Sequence, residues 1–585
     1  MREHRGIFDR KTPLRLFCMA TREESEFLNL PFQQKLEFLY GLPARQKRDL
    51  ILSAPEAERL VQSFSPETLF YTVKEIGAAD ASDLLSLALP EQVKSLFDLD
   101  CWNKDRPDLN RMREWIETLA EAGRRRLADG LMELDMEIVA LLLRSYIKVH
   151  RLDDPSLSED PPSNRYVQFD EHYLIEFIRN DDITSAIGDF LEEAFERDYK
   201  YFAGLLEDVY WGVEAELEEQ AYQFRRARLS DRGFPDYFEA QDVFAYLNPN
   251  DFLAIRDRYE KPSRADLLAD DEVIAPDFAP AVADGDNSLL SAALTAGFAA
   301  EGKRQFRSEM AMVSNQVLVA RAVDFGDLDA VREAIATTQH YLNLGLEHLA
   351  AGDLPTAIEH LRDTHLKLLF RLGVSLTIDL RKRAEQTVAR LGLPPQKTRT
   401  VSHLDSPYRE ALSGFLARMP RFYSALDGGG AVDLRDFRAM RDLHLGYAIL
   451  DQIDAMAPLF RGLLEIDIAS APFRAEVAAR DVRMSQVLLT ALVRNALEGR
   501  LSADPIEASR LDAVRSAIIG GKPGRLREEF RGAVQRLMAE RLDQATRLAS
   551  ADFVNSCLNV LEEDFAELGR QIDPRFLRSL LVRRG

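Results

Sequence analysis

Four arginines, Arg225, Arg226, Arg228 and Arg232, crowd one short stretch and are interleaved with Tyr222, Phe224, Phe234, Tyr237 and Phe238. A guanidinium offers a planar fork of donors that matches a carboxylate or phosphate, and its face stacks on aromatic rings. The stretch 222–246 is therefore a candidate anion clamp, with Tyr222, Arg225, Arg228, Asp231, Arg232 and Glu239 as the residues to contact a ligand. The alternative reading is an internal network in which the arginines neutralise Glu218, Glu219, Asp231 and Glu239 across a tight corner between helices. A second cluster is built on imidazole. His340, His348, His360 and His365 fall within one expected helical hairpin together with Glu347, Glu359 and Asp363. If its helices pack antiparallel, His348 and His360 approach each other, and imidazole with carboxylate is competent metal chemistry. His360 and His365 diverge by about 140° around a helix, so the four cannot form one set on a single face. Ordinary interhelix or surface histidines are the competing reading.

Other chemistries find no local signature. Gly521-Lys522 is followed by Pro523 where a phosphate-binding loop needs Ser or Thr, and Ser516 stands where that loop needs glycine. Gly428-Gly429-Gly430 lacks the dinucleotide-binding spacing. There is no C-x-x-C, H-E-x-x-H or G-x-S-x-G, and the acidic run 270–286 lacks the glycine and glutamate positions of a calcium loop. No cofactor is implied.

The net charge of −22 is concentrated in one region. Residues 151–300 hold 34 Asp and Glu against 13 Lys and Arg, whereas the segments on either side are close to balance. Such a field repels nucleic acid and anionic membrane and favours basic partners, cations or plain solubility. The basic group Arg575, Arg578, Arg583 and Arg584 is too small to reverse that expectation. Cys18, Cys101 and Cys557 are the only cysteines, without paired spacing, which points to a reducing compartment. No apolar run approaches the roughly 18 residues needed to span a bilayer, so membrane insertion is not expected.

The elements that must position these residues read as helices. Proline recurs at Pro31, Pro43, Pro55, Pro66 and Pro90, usually followed by polar residues and then by apolar residues at helical spacing. Proline suits a first helical turn, where its missing N–H had no partner, and Glu there complements the helix dipole. The segment 31–97 thus reads as five or six short helices, each too short to stand alone and obliged to stack on its neighbours. The stretch 97–105 reads as the turn that closes them. Longer helices are expected over 109–122 and 131–149, three more over 169–228, and one over 237–247. Strand signals are scarce, and 166–169 alternates too briefly to found a sheet. Asn343-Leu344-Gly345, Gly352-Asp353, Ala357 and Leu361 have the spacing of a tetratricopeptide-like hairpin. The module boundaries expected are an extension over 1–18, a short-helix module over 19–150, an acidic helical module over 165–260, a linker over 261–287, a helical module with the hairpin over 288–392, and a C-terminal helical module over 408–585.

Leu42-Pro43, Leu50, Leu89-Pro90 and Val93 give the first module its pattern, which resembles the superhelical short-helix units of magnesium-transporter cytosolic domains and flagellar motor-switch proteins. That resemblance implies protein contact or cation-responsive packing. Taken with Asp98-Leu99-Asp100-Cys101-Trp102, the Arg232–Pro235 corner and Asn343-Leu344-Gly345-Leu346-Glu347, the chain also resembles a bacterial family of unknown function. The expectation is an all-α, multi-module, cytosolic scaffold or regulatory protein acting on a protein partner. The alternative is a ligand-binding protein or enzyme using the arginine corner. The oligomeric state is left open.

Overall fold

The computed structural model describes residues 22–40, 42–153, 165–258, 288–298, 300–391, 403–428, 432–470, 473, 475, 481–520, 524–568 and 572–583. The extension expected over 1–18 and the linker expected over 261–287 lie outside the described residues. The chain is almost entirely α-helical and forms two compact units, residues 22–241 with 304–335, and residues 242–258 with 288–303 and 336–583. No helix among the described residues is long and apolar enough to cross a membrane.

The first unit opens with short helices α1 (Arg22–Leu28), α2 (Phe32–Tyr40), α3 (Ala44–Ser53), α4 (Ala57–Gln62), α5 (Pro66–Ile76), α6 (Ser82–Leu87) and α7 (Pro90–Asp100). Only Pro66 and Pro90 stand inside a first turn, while Pro43 is the residue before α3. At α5 the Ser65 hydroxyl accepts from the Thr68 N–H at 3.1 Å. At α7 the Gln92 carbonyl accepts from the Leu89 N–H at 2.9 Å, while its amide donates to the carbonyls of Val61 at 3.0 Å and Phe64 at 2.8 Å. One side chain thus caps its own helix and anchors it to the end of α4. Helix α6 has no proline, which explains the doubled interval before Pro90. Leu60, Leu69, Phe70, Val73, Leu96 and Trp115 supply much of the buried apolar interior.

A two-stranded hairpin, β1 (Trp102–Asn103) and β2 (Arg106–Pro107), turns the chain into α8 (Leu109–Glu121), α9 (Arg124–Glu133) and α10 (Met136–Arg144). Strand β3 (Ile147–Arg151) pairs antiparallel with β5 (Tyr173–Phe177), and β4 (Tyr166–Gln168) adds on the far side of β5. This departs from the single helix expected over 131–149. Leu134 is extended and separates α9 from α10. The apolar run Ile138–Leu143 is buried all round and so hides any contrast in period, while Ile147 and Val149 alternate with exposed Lys148. Three helices follow as expected, though the first begins later: α11 (Asp182–Arg197), α12 (Tyr199–Trp211) and α13 (Glu214–Asp231), then the single turn α14 (Tyr237–Ala240).

The remaining helices include α15 (Phe252–Arg256), α16 (Leu289–Gly297), α17 (Ala300–Ala320), α18 (Leu328–Ala350), α19 (Leu354–Asp363), α20 (Leu366–Arg390), α21 (Tyr408–Phe415), α22 (Met440–Leu464), α23 (Met484–Glu498), α24 (Leu511–Ile518), α25 (Glu528–Arg541) and α26 (Gln544–Glu567). Residues from 336 onward in α18 belong to the second unit. There α18 and α20 touch backbone to backbone. A Cβ on Gly373 would lie 2.0 Å from the Tyr341 carbonyl oxygen, and one on Gly345 would lie 2.4 Å from that of Leu369. Asn343 fastens the same crossing, donating to Glu347 at 2.9 Å and to the Arg438 carbonyl at 2.8 Å and accepting from the Leu290 N–H at 3.1 Å. Glu347 in turn accepts from the Met440 N–H at 2.7 Å.

Because the obstacle at Gly373 is backbone, Gly373→Ala must separate the two helices, and urea unfolding is expected to show a loss of about 2–3 kcal/mol. Gly188 in α11 has only the Phe177 Cζ at 3.8 Å in the same test. There Gly188→Ala gains helix propensity and is expected to stabilise by up to about 1 kcal/mol. Equal effects at the two positions would rule out the close crossing as the cause.

Candidate functional site

Helix α13 has little apolar face to bury. Only Leu217, Ala221 and Leu229 are buried along its length, and its position against α10 is set largely by its arginines. The Arg228 guanidinium lies between two carboxylates of the first unit. It donates to Asp98 through Nε at 2.7 Å and Nη2 at 2.8 Å, and to Asp135 through Nη1 at 3.0 Å and Nη2 at 2.6 Å. Lys94 adds a second cation to Asp135 at 3.1 Å. Arg225 donates through Nε to the Asp98 carbonyl at 2.7 Å, and its guanidinium carbon lies 5.0 Å from the centroid of the Trp102 ring. Burial pushes the Arg225 pKa down to about 10, against the pull of Asp98. Tyr222 packs its ring 6.2 Å from that of Trp102.

The remaining cations of the corner are also matched. Arg226 pairs with Asp236 at 3.2 Å, and Arg232 lies 3.6 Å from the buried Glu67. That distance is too long for a hydrogen bond, and the facing atoms, Arg232 Nη1 and Glu67 Oε1, are both buried without one. Burial raises the Glu67 carboxyl above its ordinary range although Arg232 pulls it the other way. Asp231 and Glu239 are exposed. Of the six candidate residues, the fold therefore gathers Tyr222, Arg225 and Arg228 around Asp98 and Trp102, sets Arg232 against Glu67, and leaves Asp231 and Glu239 in solvent.

Two residues beyond Asp98, Asp100 organises a second cluster. Its carboxylate accepts from Lys74 at 2.9 Å, from Arg111 at 3.3 Å and from the Trp115 indole N–H at 2.9 Å. Arg111 also holds Asp324, and the Asp324 carboxylate accepts from the Gly326 N–H at 3.0 Å. Arg111 keeps the Asp324 carboxyl below its usual range. Gly326 permits this approach, since a Cβ there would lie 2.2 Å from Asp100 Oδ1. The residues that sequence reasoning missed are thus Glu67, Asp98, Asp100, Trp102, Arg111 and Asp135. The signal available for some of them was the acidic and aromatic run Asp98-Leu99-Asp100-Cys101-Trp102.

In the histidine hairpin, His348 sits on α18 and His360 on α19. Burial, together with the Arg256 guanidinium, pushes the His360 imidazole below its ordinary value. Among the described residues no group of three or more His, Cys, Asp and Glu side chains converges on a point that a metal ion could occupy.

These features define a mostly helical protein of several packed helical modules. The chain belongs to a family of unknown function, DUF6178, whose profile matches residues 24–583. No curated protein and no solved structure matches it.

Removing one partner from a buried ion pair strands the other charge. Arg228→Met leaves both Asp98 and Asp135 short of their main partner, and a loss of about 3 kcal/mol in urea unfolding is expected. An unchanged stability would show that Arg228 is dispensable to the fold. At Glu67 the direction is opposite. A carboxyl whose folded pKa is raised contributes stability that is fully present below its unfolded value of 4.5 and is lost as pH rises through the folded pKa. The stability of Glu67→Gln relative to the parent is therefore expected to improve as pH rises from 4.5 toward neutrality, as measured by denaturant titrations across that range. A difference that stays flat with pH would contradict the burial argument.

Proposed function

We propose that this chain is a helical scaffold or regulatory protein that acts by docking another protein, in a reducing, cytosolic compartment. The observation that carries the reading is the exposure of large aromatic side chains on the first unit: Phe238 is 82% exposed and Trp211 65%. Aromatic side chains supply much contact area at low entropic cost and are enriched where proteins meet. The pairing of Arg226, Arg228 and Arg232 with internal carboxylates, with Arg225 held on the Asp98 backbone carbonyl, also supports contact over anion chemistry, because a clamp needs donors it can offer to a ligand. Stacked short helices in the first unit are in keeping with the likeness to magnesium-transporter and motor-switch repeats, where such units serve contact. The free thiols Cys101 and Cys557 are buried, which accords with a reducing setting.

The test is affinity capture with the full chain, comparing the parent with a Trp211→Ser/Phe238→Ser variant whose circular dichroism and thermal midpoint match it. Proteins recovered with the parent are expected to be depleted at least severalfold with the variant. Recovery of the same set by both, or of nothing by either while the chain runs as a monodisperse species, would overturn the reading.

A further inference from the structure

Helix α13 is charged in two halves, and the halves end in different states. Its arginines, with Arg232 at its end, are cancelled by Asp98, Asp135, Asp236 and Glu67 as described. The carboxylates of its first half are Glu214, Glu216, Glu218 and Glu219. Among the described residues no cation lies within ion-pair distance of these four. Gln223 donates to Glu219 at 2.7 Å, which leaves that charge uncancelled. Carboxylates in a first turn are favoured by the helix dipole, so the field is compatible with a stable helix. It is nevertheless outward and negative, since Glu214, Glu216 and Glu219 are exposed.

Directly before this half stands a corner that is held rigidly. The Gly212 carbonyl accepts from Arg144 Nη1 at 2.7 Å, and its N–H donates to the Asp208 carbonyl at 3.0 Å. A Cβ on Gly212 would lie 2.4 Å from that same oxygen and 2.8 Å from Leu217. The corner nonetheless presents Trp211 and Val213, 65% and 55% exposed, to solvent. Trp102 and Trp115, the other two tryptophans, are buried.

We propose that the Trp211–Val213 corner and the first half of α13 form a docking surface for a Lys/Arg-rich amphipathic segment of a protein partner. This rests on the contact reading above and specifies its partner. Charge complementarity selects the occupant. An indole face attracts an ammonium or guanidinium, the uncancelled carboxylates attract its neighbours, and Val213 takes an apolar side chain. Nucleic acid and anionic membrane are repelled by the same field, and a second copy of the chain would set this acidic face on itself.

Trp211 makes the surface observable, because it is the exposed indole. The probes are a synthetic Lys/Leu amphipathic peptide and its Glu/Leu counterpart, titrated into the full chain while tryptophan emission is followed. The Lys/Leu peptide is expected to give a saturable blue shift that Trp211→Phe abolishes and that the Glu/Leu peptide does not produce. Glu214→Gln/Glu216→Gln/Glu219→Gln, which keeps the shape and removes the charge, is expected to weaken that binding severalfold, most of it from Glu216 and Glu219, which lie about 60° apart on one face of the helix. Absence of a saturable shift, or equal affinity for the triple variant, overturns the proposal. Affinity capture separates its failure from that of the contact reading. If parent and triple variant recover the same proteins, the chain docks partners elsewhere and the charged surface is refuted. If neither recovers any, the contact reading itself fails.

Discussion

Two buried carboxylates at the wrong end of a helix constrain the whole first unit. Asp98 and Asp100 occupy the last turn of α7, and they are 4% and 1% exposed. Acidic side chains are disfavoured at a helix C-terminus, where the dipole is negative, and burial of an unpaired charge costs several kcal/mol more. The turn is tolerable only if cations arrive from elsewhere. They come from α5, α8 and α13: Lys74 and Arg111 to the Asp100 carboxylate and Arg228 to that of Asp98, with Arg225 on the Asp98 backbone carbonyl. Because Leu99 separates the two carboxylates, they serve different neighbours, and each ion pair fixes the azimuth of a helix that apolar packing alone would leave free to rotate. Gly326 completes the enclosure, as the one residue type whose backbone can lie against Asp100 where a Cβ would collide.

The second unit has ion pairs too, such as Arg435 with Asp442 at 2.7 Å, and adds a hub of hydrogen bonds to backbone. Asn343 and Glu347, one turn apart on α18, satisfy backbone donors and an acceptor of two other segments, at Leu290 and at Arg438 and Met440. The glycines beside them let α18 and α20 approach until only backbone separates them. An amide hub buried in this way is fully satisfied, and that is the condition under which a polar network rigidifies rather than weakens a core. Ion pairs and such hydrogen-bond hubs therefore do the same work of specifying orientation.

Much of the helical plan was legible in the sequence because short helices carry their own punctuation. Proline and following polar residues marked five of the starts between 31 and 97. The hairpin at Trp102 was legible as a turn. Strand β3 was not, since its neighbour α10 is apolar on every face and its pairing partner β5 lies 26 residues on, at the register His150 to Leu174 and Lys148 to Glu176. Of the arginine corner, the residue types and their crowding were legible, and the network reading had the right physics. Its acidic partners were unreadable for a simple reason: local charge pairing pointed to Glu218, Glu219, Asp231 and Glu239, whereas the carboxylates that meet these arginines include Asp98 and Asp135, about 130 and 93 residues earlier in the chain.

That displacement changes how an arginine-rich stretch in an acidic segment is to be read. A helix with a strong apolar stripe finds its place by burial, and its charges can then be spent on solvent. Helix α13 buries only three small or medium apolar side chains, too few to fix its rotation, so the fixing falls to the guanidinium forks. The geometry of Arg228, with both edges occupied, gives a sharper orientational preference than a hydrophobic contact of the same area, because turning the helix would leave two buried carboxylates uncompensated. Arginine crowding next to aromatic residues is thus as much an instruction for docking one helix on another as a signature of ligand chemistry. What distinguishes the two is whether any donor is left over once the carboxylates of the rest of the fold have been counted.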